Sequence, residues 1–250
     1  MTQEVNHFKH KVHVLFKRED LDHERLEGKV AIVLDVLFAT TTIIHAVHSG
    51  AKEVIPTLNE SSAREVAQNY DEEAYLLAGE LYGETLPGFL HPAPLRLAEE
   101  PLLDKTLIYS TTNGTVALRQ AAAADQVFVG ALINAEALVD HVLSSYPGKT
   151  ILIVCSGSMG NPNLEDACGA GYFVDLLKAR MRDVGSDAFS DTAEAARMIF
   201  KSEPSVESLL RSRVGRLMVE RGMEEEVHFA ANLSTHQTIP KVFGGVVKPV

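Results

Sequence analysis

Val30-Ala-Ile-Val-Leu-Asp35-Val-Leu-Phe-Ala-Thr40-Thr-Thr-Ile-Ile-His45-Ala-Val-His-Ser-Gly50 opens on a short apolar run dominated by Val, Ile and Leu, the composition of a strand buried on both faces. Asp35 stands where that strand ends, and Thr40, Thr41 and Thr42 follow it. From Ile43 the apolar residues fall at helical spacing until Gly50 stops the helix. Open α/β sheets bind ligands outside the carboxyl ends of their strands, where this acid and these hydroxyls lie. A helix N-terminus suits phosphate, and a carboxylate suits a hard cation such as Mg²⁺.

The same grammar continues outward. Residues 29–80 read as strand (30–34), helix (to 49), strand (53–57), helix (61–70) and strand (74–78), closing on Gly79-Glu80. Residues 105–157 read as strand (106–109), the loop Ser110-Thr-Thr-Asn-Gly-Thr115, helix (116–123), strand (126–129), helix (135–145) and strand (150–154), closing on Cys155-Ser-Gly157. Two βαβαβ units imply a mainly parallel sheet with right-handed crossovers. The expected fold class is therefore α/β, a three-layer αβα domain over residues 1–250 with a duplicated βαβαβ core. Residues 186–250 form a helical C-terminal extension in this reading.

Around that core, residues 1–10 read as loosely ordered, 11–16 as an edge strand and 17–28 as a charged helix or loop. The Gly- and Pro-rich stretch 79–94 reads as a covering loop. Asn163 caps a helix over 167–182, with Glu165 and Asp166 in its first turn. Residues 191–226 read as two amphipathic helices, followed by one last strand near 237–242.

Composition narrows the function. A net charge of −11 argues against a nucleic-acid surface, and no apolar run approaches the length of a membrane span. Two cysteines without a secretory signal fit a reduced, cytoplasmic setting. A homo-oligomer is compatible with the sequence. The P-loop, the dinucleotide-binding Gly fingerprint and the G-x-S-x-G elbow are all missing.

Four loops remain as carriers of chemistry: Asp35 with Thr40 and Thr41; Glu80; Asn113, Gly114 and Thr115; and Ser156-Gly157 with Glu165 and Asp166. The acids would hold a divalent cation, Asp35 and Glu80 foremost, with Asp35, Glu165 and Asp166 the candidates for catalysis. The hydroxyls, the Asn and the backbone N–H groups would hold a small anionic phosphate ester. Either Asp35 attacks phosphorus or it positions water through the metal. Taken singly, each of these residues also reads as an ordinary cap or turn. His45 and His48, at i, i+3, read as surface or packing residues. So do His7, His10 and His13, and Cys155 reads as a buried, inert thiol.

Asp35-Val-Leu-x-Ala-Thr40-Thr-Thr, Gly79-Glu80, Gly88-Phe89, Thr111-Thr-Asn-Gly-Thr115 and Ser156-Gly157 with Glu165-Asp166 resemble the 2-phosphosulfolactate phosphatases, the ComB family. The resemblance runs from about residue 12 to the region of Pro240. It implies an α/β protein that needs Mg²⁺ and hydrolyses 2-phosphosulfolactate to 3-sulfolactate and phosphate, in coenzyme M biosynthesis or bacterial sulfolactate production. Two departures stand out: the family pattern has Arg where this chain has Phe38 and Leu81. Arg96 stands where the family commonly has an acid, and is a candidate to replace a lost positive charge. A phosphatase for a different small phospho-acid, or a non-catalytic anion-binding protein, are the alternatives these departures raise.

Overall fold

Strand β2 (Lys29–Leu34) alternates between two cores, because successive side chains leave a strand on opposite faces. Val30, Ile32 and Leu34 join one apolar cluster; Ala31 and Val33 join another. The computed structural model describes residues 11–181 and 188–250; the expected looseness of residues 1–10, with His7 and His10, lies outside them. The remaining strands are β1 (Val12–Leu15), β3 (Glu53–Thr57), β4 (Tyr75–Leu81), β5 (Glu84–Thr85), β6 (Thr106–Ser110), β7 (Gln126–Gly130), β8 (Thr150–Cys155), β9 (Pro240–Phe243) and β10 (Val246–Pro249). The helices are α1 (Ala39–His48), α2 (Glu60–Ala67), α3 (Pro94–Ala98), α4 (Gly114–Gln120), α5 (Ala135–Ser145), α6 (Leu164–Arg180), α7 (Asp191–Ser202), α8 (Ser205–Arg211), α9 (Arg213–Glu220) and α10 (Glu224–Ala230).

The strands form one mixed sheet in the order β1-β8-β2-β7-β9-β10-β3-β6-β4-β5. It contains two parallel blocks. In the first, β2 lies between β8 and β7; in the second, β6 lies between β3 and β4. The two stretches read as repeats therefore interleave, each lending its first strand to the block that holds the other two strands of its counterpart. The hairpin β9–β10 joins the blocks, antiparallel to β7 on one side and to β3 on the other.

Helices cover both faces, giving three layers. One cluster extends beneath α1, α3 and α4 and spans both blocks, from Val33 and Val129 to Val54 and Leu107. The opposite face of the first block packs under α5 to α10. The opposite face of the second block, at Ile108, is covered by Ala63 and Ala67 of α2 together with Leu86 and Phe89 of the loop after β5. No helix among the described residues is long and apolar enough to cross a membrane.

Two expectations for the C-terminal region need correction. Residues 191–226 are not two helices; four helices occupy 191–230, broken at Pro204, at Gly222 and at Ser212, which ends α8 and caps α9 within a single residue. Its hydroxyl accepts the Gly215 N–H at 2.9 Å. The single strand expected near 237–242 is instead the first arm of the hairpin. Its turn uses Gly244 and Gly245, both at positive φ, as a two-residue hairpin turn requires.

Candidate active site

The ends of β2 and β8 in one block meet the ends of β4 and β6 in the other. At Gly114 the approach is so close that a Cβ would lie 2.7 Å from Asp35 Oδ2 and 2.5 Å from the Ala39 side chain. Only glycine leaves that room beside the carboxylate.

The two blocks build their loops alike. After β2, the Thr40 hydroxyl accepts the Asp35 N–H at 2.9 Å and donates to the Asp35 carbonyl at 2.9 Å. After β6, the Thr115 hydroxyl accepts the Thr111 N–H at 3.3 Å and donates to the Thr111 carbonyl at 3.0 Å. One residue further on, each loop is tied to a carboxylate at or beyond the end of another strand of its block, Asp166 after β8 and Glu80 in the last residues of β4. The Val36 N–H donates to Asp166 Oδ1 at 2.9 Å, and the Thr112 N–H donates to Glu80 Oε1 at 2.6 Å.

Those carboxylates are already well bonded. Asp166 Oδ2 also accepts from Ser156 Oγ at 3.2 Å and the Gly157 N–H at 3.1 Å. Glu80 Oε2 accepts from the Gly83 N–H at 2.6 Å and Thr112 Oγ1 at 3.1 Å. Asp35, Asp166 and Glu165 are buried close together. Burial, then the charges of Asp166 and Glu80, hold the Asp35 carboxyl well above its ordinary range. Burial and Glu165 push Asp166 up to about 7 against its hydrogen bonds. Burial likewise pushes Glu165 up to about 7, opposed by Ser212 and Arg213 among others.

A pocket of about 190 Å³ opens between the blocks. Asp35, Glu80 and Asn113, all named from the sequence, line it with Thr111 and Thr112. Thr40, Thr41, Gly114, Thr115, Ser156, Gly157, Glu165 and Asp166 lie behind that lining. The Thr40 and Thr41 hydroxyls are spent on the carbonyls of Asp35 and Val36, so they shape the β2 loop from within. Phe38 is on the pocket wall, whereas Leu81 is exposed and faces away from this pocket. Arg96 is exposed on α3 and does not reach it.

The guanidinium groups at the site come from elsewhere. Arg213, at the start of α9, lines the mouth and donates to Ser158 Oγ, which in turn donates to Asn163 Oδ1 at 2.8 Å. Arg18 lies behind Asn113, with Nη1 donating to Asn113 Oδ1 at 3.0 Å and the Ser156 carbonyl at 3.1 Å. Neither stands within a recognisable motif. The hydroxyl of Tyr109 also reaches the pocket region, but it donates to the Pro92 carbonyl at 2.8 Å, and burial drives its pKa up. Cys155 is buried and burial raises its thiol, as an inert cysteine requires.

Among the described residues, no three His, Cys, Asp or Glu side chains are arranged to hold a metal by themselves. Asp35 and Glu80 still offer hard oxygen donors at the pocket wall, with the space beside Gly114. That suits Mg²⁺, which usually keeps several waters and takes one or two carboxylates plus substrate phosphate.

Comparison with known proteins gives a consistent family. The sequence profile described as 2-phosphosulpholactate phosphatase matches residues 15–244. A protein of Caldanaerobacter subterraneus named as a probable 2-phosphosulfolactate phosphatase is 34% identical over 226 residues, covering 89% of this chain and 91% of its own. One of the same name from Symbiobacterium thermophilum is 35% identical, covering 90% and 95%. Another, from Caldicellulosiruptor saccharolyticus, is 36% identical over 190 residues, covering 74% and 78%.

Proposed function

The chain belongs to the 2-phosphosulpholactate phosphatase family, and from that premise we propose that it is a Mg²⁺-dependent phosphoric monoester hydrolase. Its substrate is the phosphate ester of a small 2-hydroxy acid, with 2-phosphosulfolactate, the compound in its relatives' names, the first to try. The observation that carries this reading is the pocket, lined by the carboxylate of Asp35 from one block, that of Glu80 from the other, and the guanidinium of Arg213 at its mouth.

Asp35 and Glu80 would hold Mg²⁺, which when bound neutralises charge on the phosphoryl oxygens. Glu80 is fixed for that task by the Thr112 and Gly83 N–H groups. Asp166 acts as a positioning residue. It ties Val36 to Gly157 and Ser156, and so holds the β2 loop that presents Asp35. Glu165 sits against Ser212 at the start of α9 and helps to aim Arg213, which pairs with the acid group of the substrate. The apolar residues around the pocket exclude water and strengthen these charge interactions.

The test is phosphate release from 2-phosphosulfolactate with and without Mg²⁺, beside an Asp35→Asn variant. Release that needs both the cation and Asp35 supports the proposal. Equal release by the variant removes Asp35 from the mechanism, and no release from any 2-phospho acid removes the function.

A further inference from the structure

We propose that this pocket selects 2-phospho acids whose third carbon carries an apolar group, and that Phe38 sets the choice. The inference rests on the phosphatase reading for where the phosphate lies.

Among the described residues, Arg213 is the one Lys or Arg side chain that lines the pocket. The other basic groups nearby are committed elsewhere. Arg18 is bonded to Asn113 and Ser156, and Arg221 pairs with Glu84 at 2.7 Å and with the Gly83 carbonyl. His91 reaches the pocket, but its Nδ1 accepts the Ala93 N–H at 3.2 Å, and burial with the nearby Arg96 charge disfavours its protonated form. With the phosphate at Asp35 and Glu80 and the carboxylate at Arg213, a third substituent meets Leu37, Phe38, Val214, Leu217, Met218 and Met223. A sulfonate there is stripped of water with no cation to pair it. An alkyl group instead gains from leaving water, and the thioethers of Met218 and Met223 adapt to its shape.

The experiment compares kcat/KM, with Mg²⁺ present, for 2-phosphosulfolactate, 2-phospholactate and 2-phospho-4-methylpentanoate. The branched alkyl ester is expected to exceed 2-phosphosulfolactate by about tenfold or more, the scale on which apolar pockets discriminate. Phe38→Arg should reverse that order. Leu217→Lys, on the same wall, serves if Phe38→Arg does not fold. A preference of the wild type for 2-phosphosulfolactate overturns the inference and leaves the phosphatase reading standing. Release from none of the three overturns the phosphatase reading. Calorimetry with the unphosphorylated acids then judges the pocket alone. Tighter binding of 2-hydroxy-4-methylpentanoate than of 3-sulfolactate supports the inference, and the reverse order, or binding of neither, overturns it.

Discussion

Asp35 and Thr111 occupy matching places in the two blocks of the sheet, and they differ by a charge. Each follows the middle strand of its block, β2 or β6. Each is braced by a threonine hydroxyl, Thr40 or Thr115, and each is followed by an N–H that donates to a carboxylate, Asp166 or Glu80. From these matched bonds we propose that residues 29–80 and 105–157 are two copies of one unit. The difference is what each copy was left free to do. The first places a buried carboxylate at its tip, and its bracing carboxylate stays out of the pocket. The second places a hydroxyl at its tip, and its bracing carboxylate, Glu80, faces the pocket. Together they offer two acids across one cleft, one from each block, where a strictly repeated pattern would crowd them on one side.

The comparison breaks first at Asp35. Asp35→Asn should lower phosphate release by about a thousandfold or more, the scale of removing a group that holds the cation and phosphoryl charge. Its unfolding temperature should stay level or rise, because the burial that lifts the Asp35 carboxyl makes its ionised form costly to the folded state. If Thr111→Val costs as much activity as Asp35→Asn, the two tips do not divide the work.

Next come the bracing acids. Asp166→Ala strands the Val36 and Gly157 N–H groups and the Ser156 hydroxyl in a fully buried place, and should cost about 3 kcal/mol or more in a denaturant titration. Glu80→Ala leaves half-buried N–H groups that water can reach, and should cost about 1 kcal/mol. Equal losses would mean that both acids brace alike. Thr111→Val removes the hydroxyl partner of the Thr115 N–H, at about 1 kcal/mol and with activity kept within about tenfold.

The smallest effect is in pH. Asp166 at about 7 binds a proton in the folded chain that the unfolded carboxyl releases near 3.8. Its contribution is therefore complete below that lower value and is lost as pH rises through about 7. Glu165, also at about 7, acts in the same sense, so without divalent cation stability should fall by about 1 kcal/mol or more between pH 6.5 and 8, and Asp166→Asn should make the slope shallower. His236 works in the opposite sense at lower pH. Burial, His48 and His45 hold it near 4, so its contribution is present above 6.5 and is lost as pH falls toward 4. A profile that stays level from 6.5 to 8 in the wild type would count against the crowding of acids on the Asp35 side.

Much of this was legible in the sequence because burial writes itself into composition. Strands β2 and β8 are short apolar runs dominated by Val, Ile and Leu; Asp35 directly follows β2, Asn113 lies in the loop after β6, and Glu80 falls within the last residues of β4 rather than after it. What stayed hidden depends on pairing across distance. Periodicity along the chain cannot say that β2 inserts between β8 and β7, since all three strands are buried on both faces. Arg18 and Arg213 lie 195 positions apart in segments that carry no motif, so nothing local marks them as site residues. Of the three breaks between the four C-terminal helices, the one at Ser212 was hidden because one serine both ends α8 and begins α9, whereas Pro204 and Gly222 were breaker signals that could have found the other two. The hairpin had a signal that could have found it: Gly244-Gly245 between two short β-branched runs.

That hairpin also sets a clock on synthesis. The β7 and β3 edges find each other only through β9 and β10, which leave the ribosome about 110 residues after Gly130. At roughly 5–20 residues per second, both strands present open edges for about 5–20 s, the interval in which an unpaired edge recruits the wrong neighbour. The protein's yield in a cell is thus tied to how fast its message is read over those codons, and slowing translation between residues 131 and 239 should raise the aggregated fraction while leaving the finished molecule unchanged.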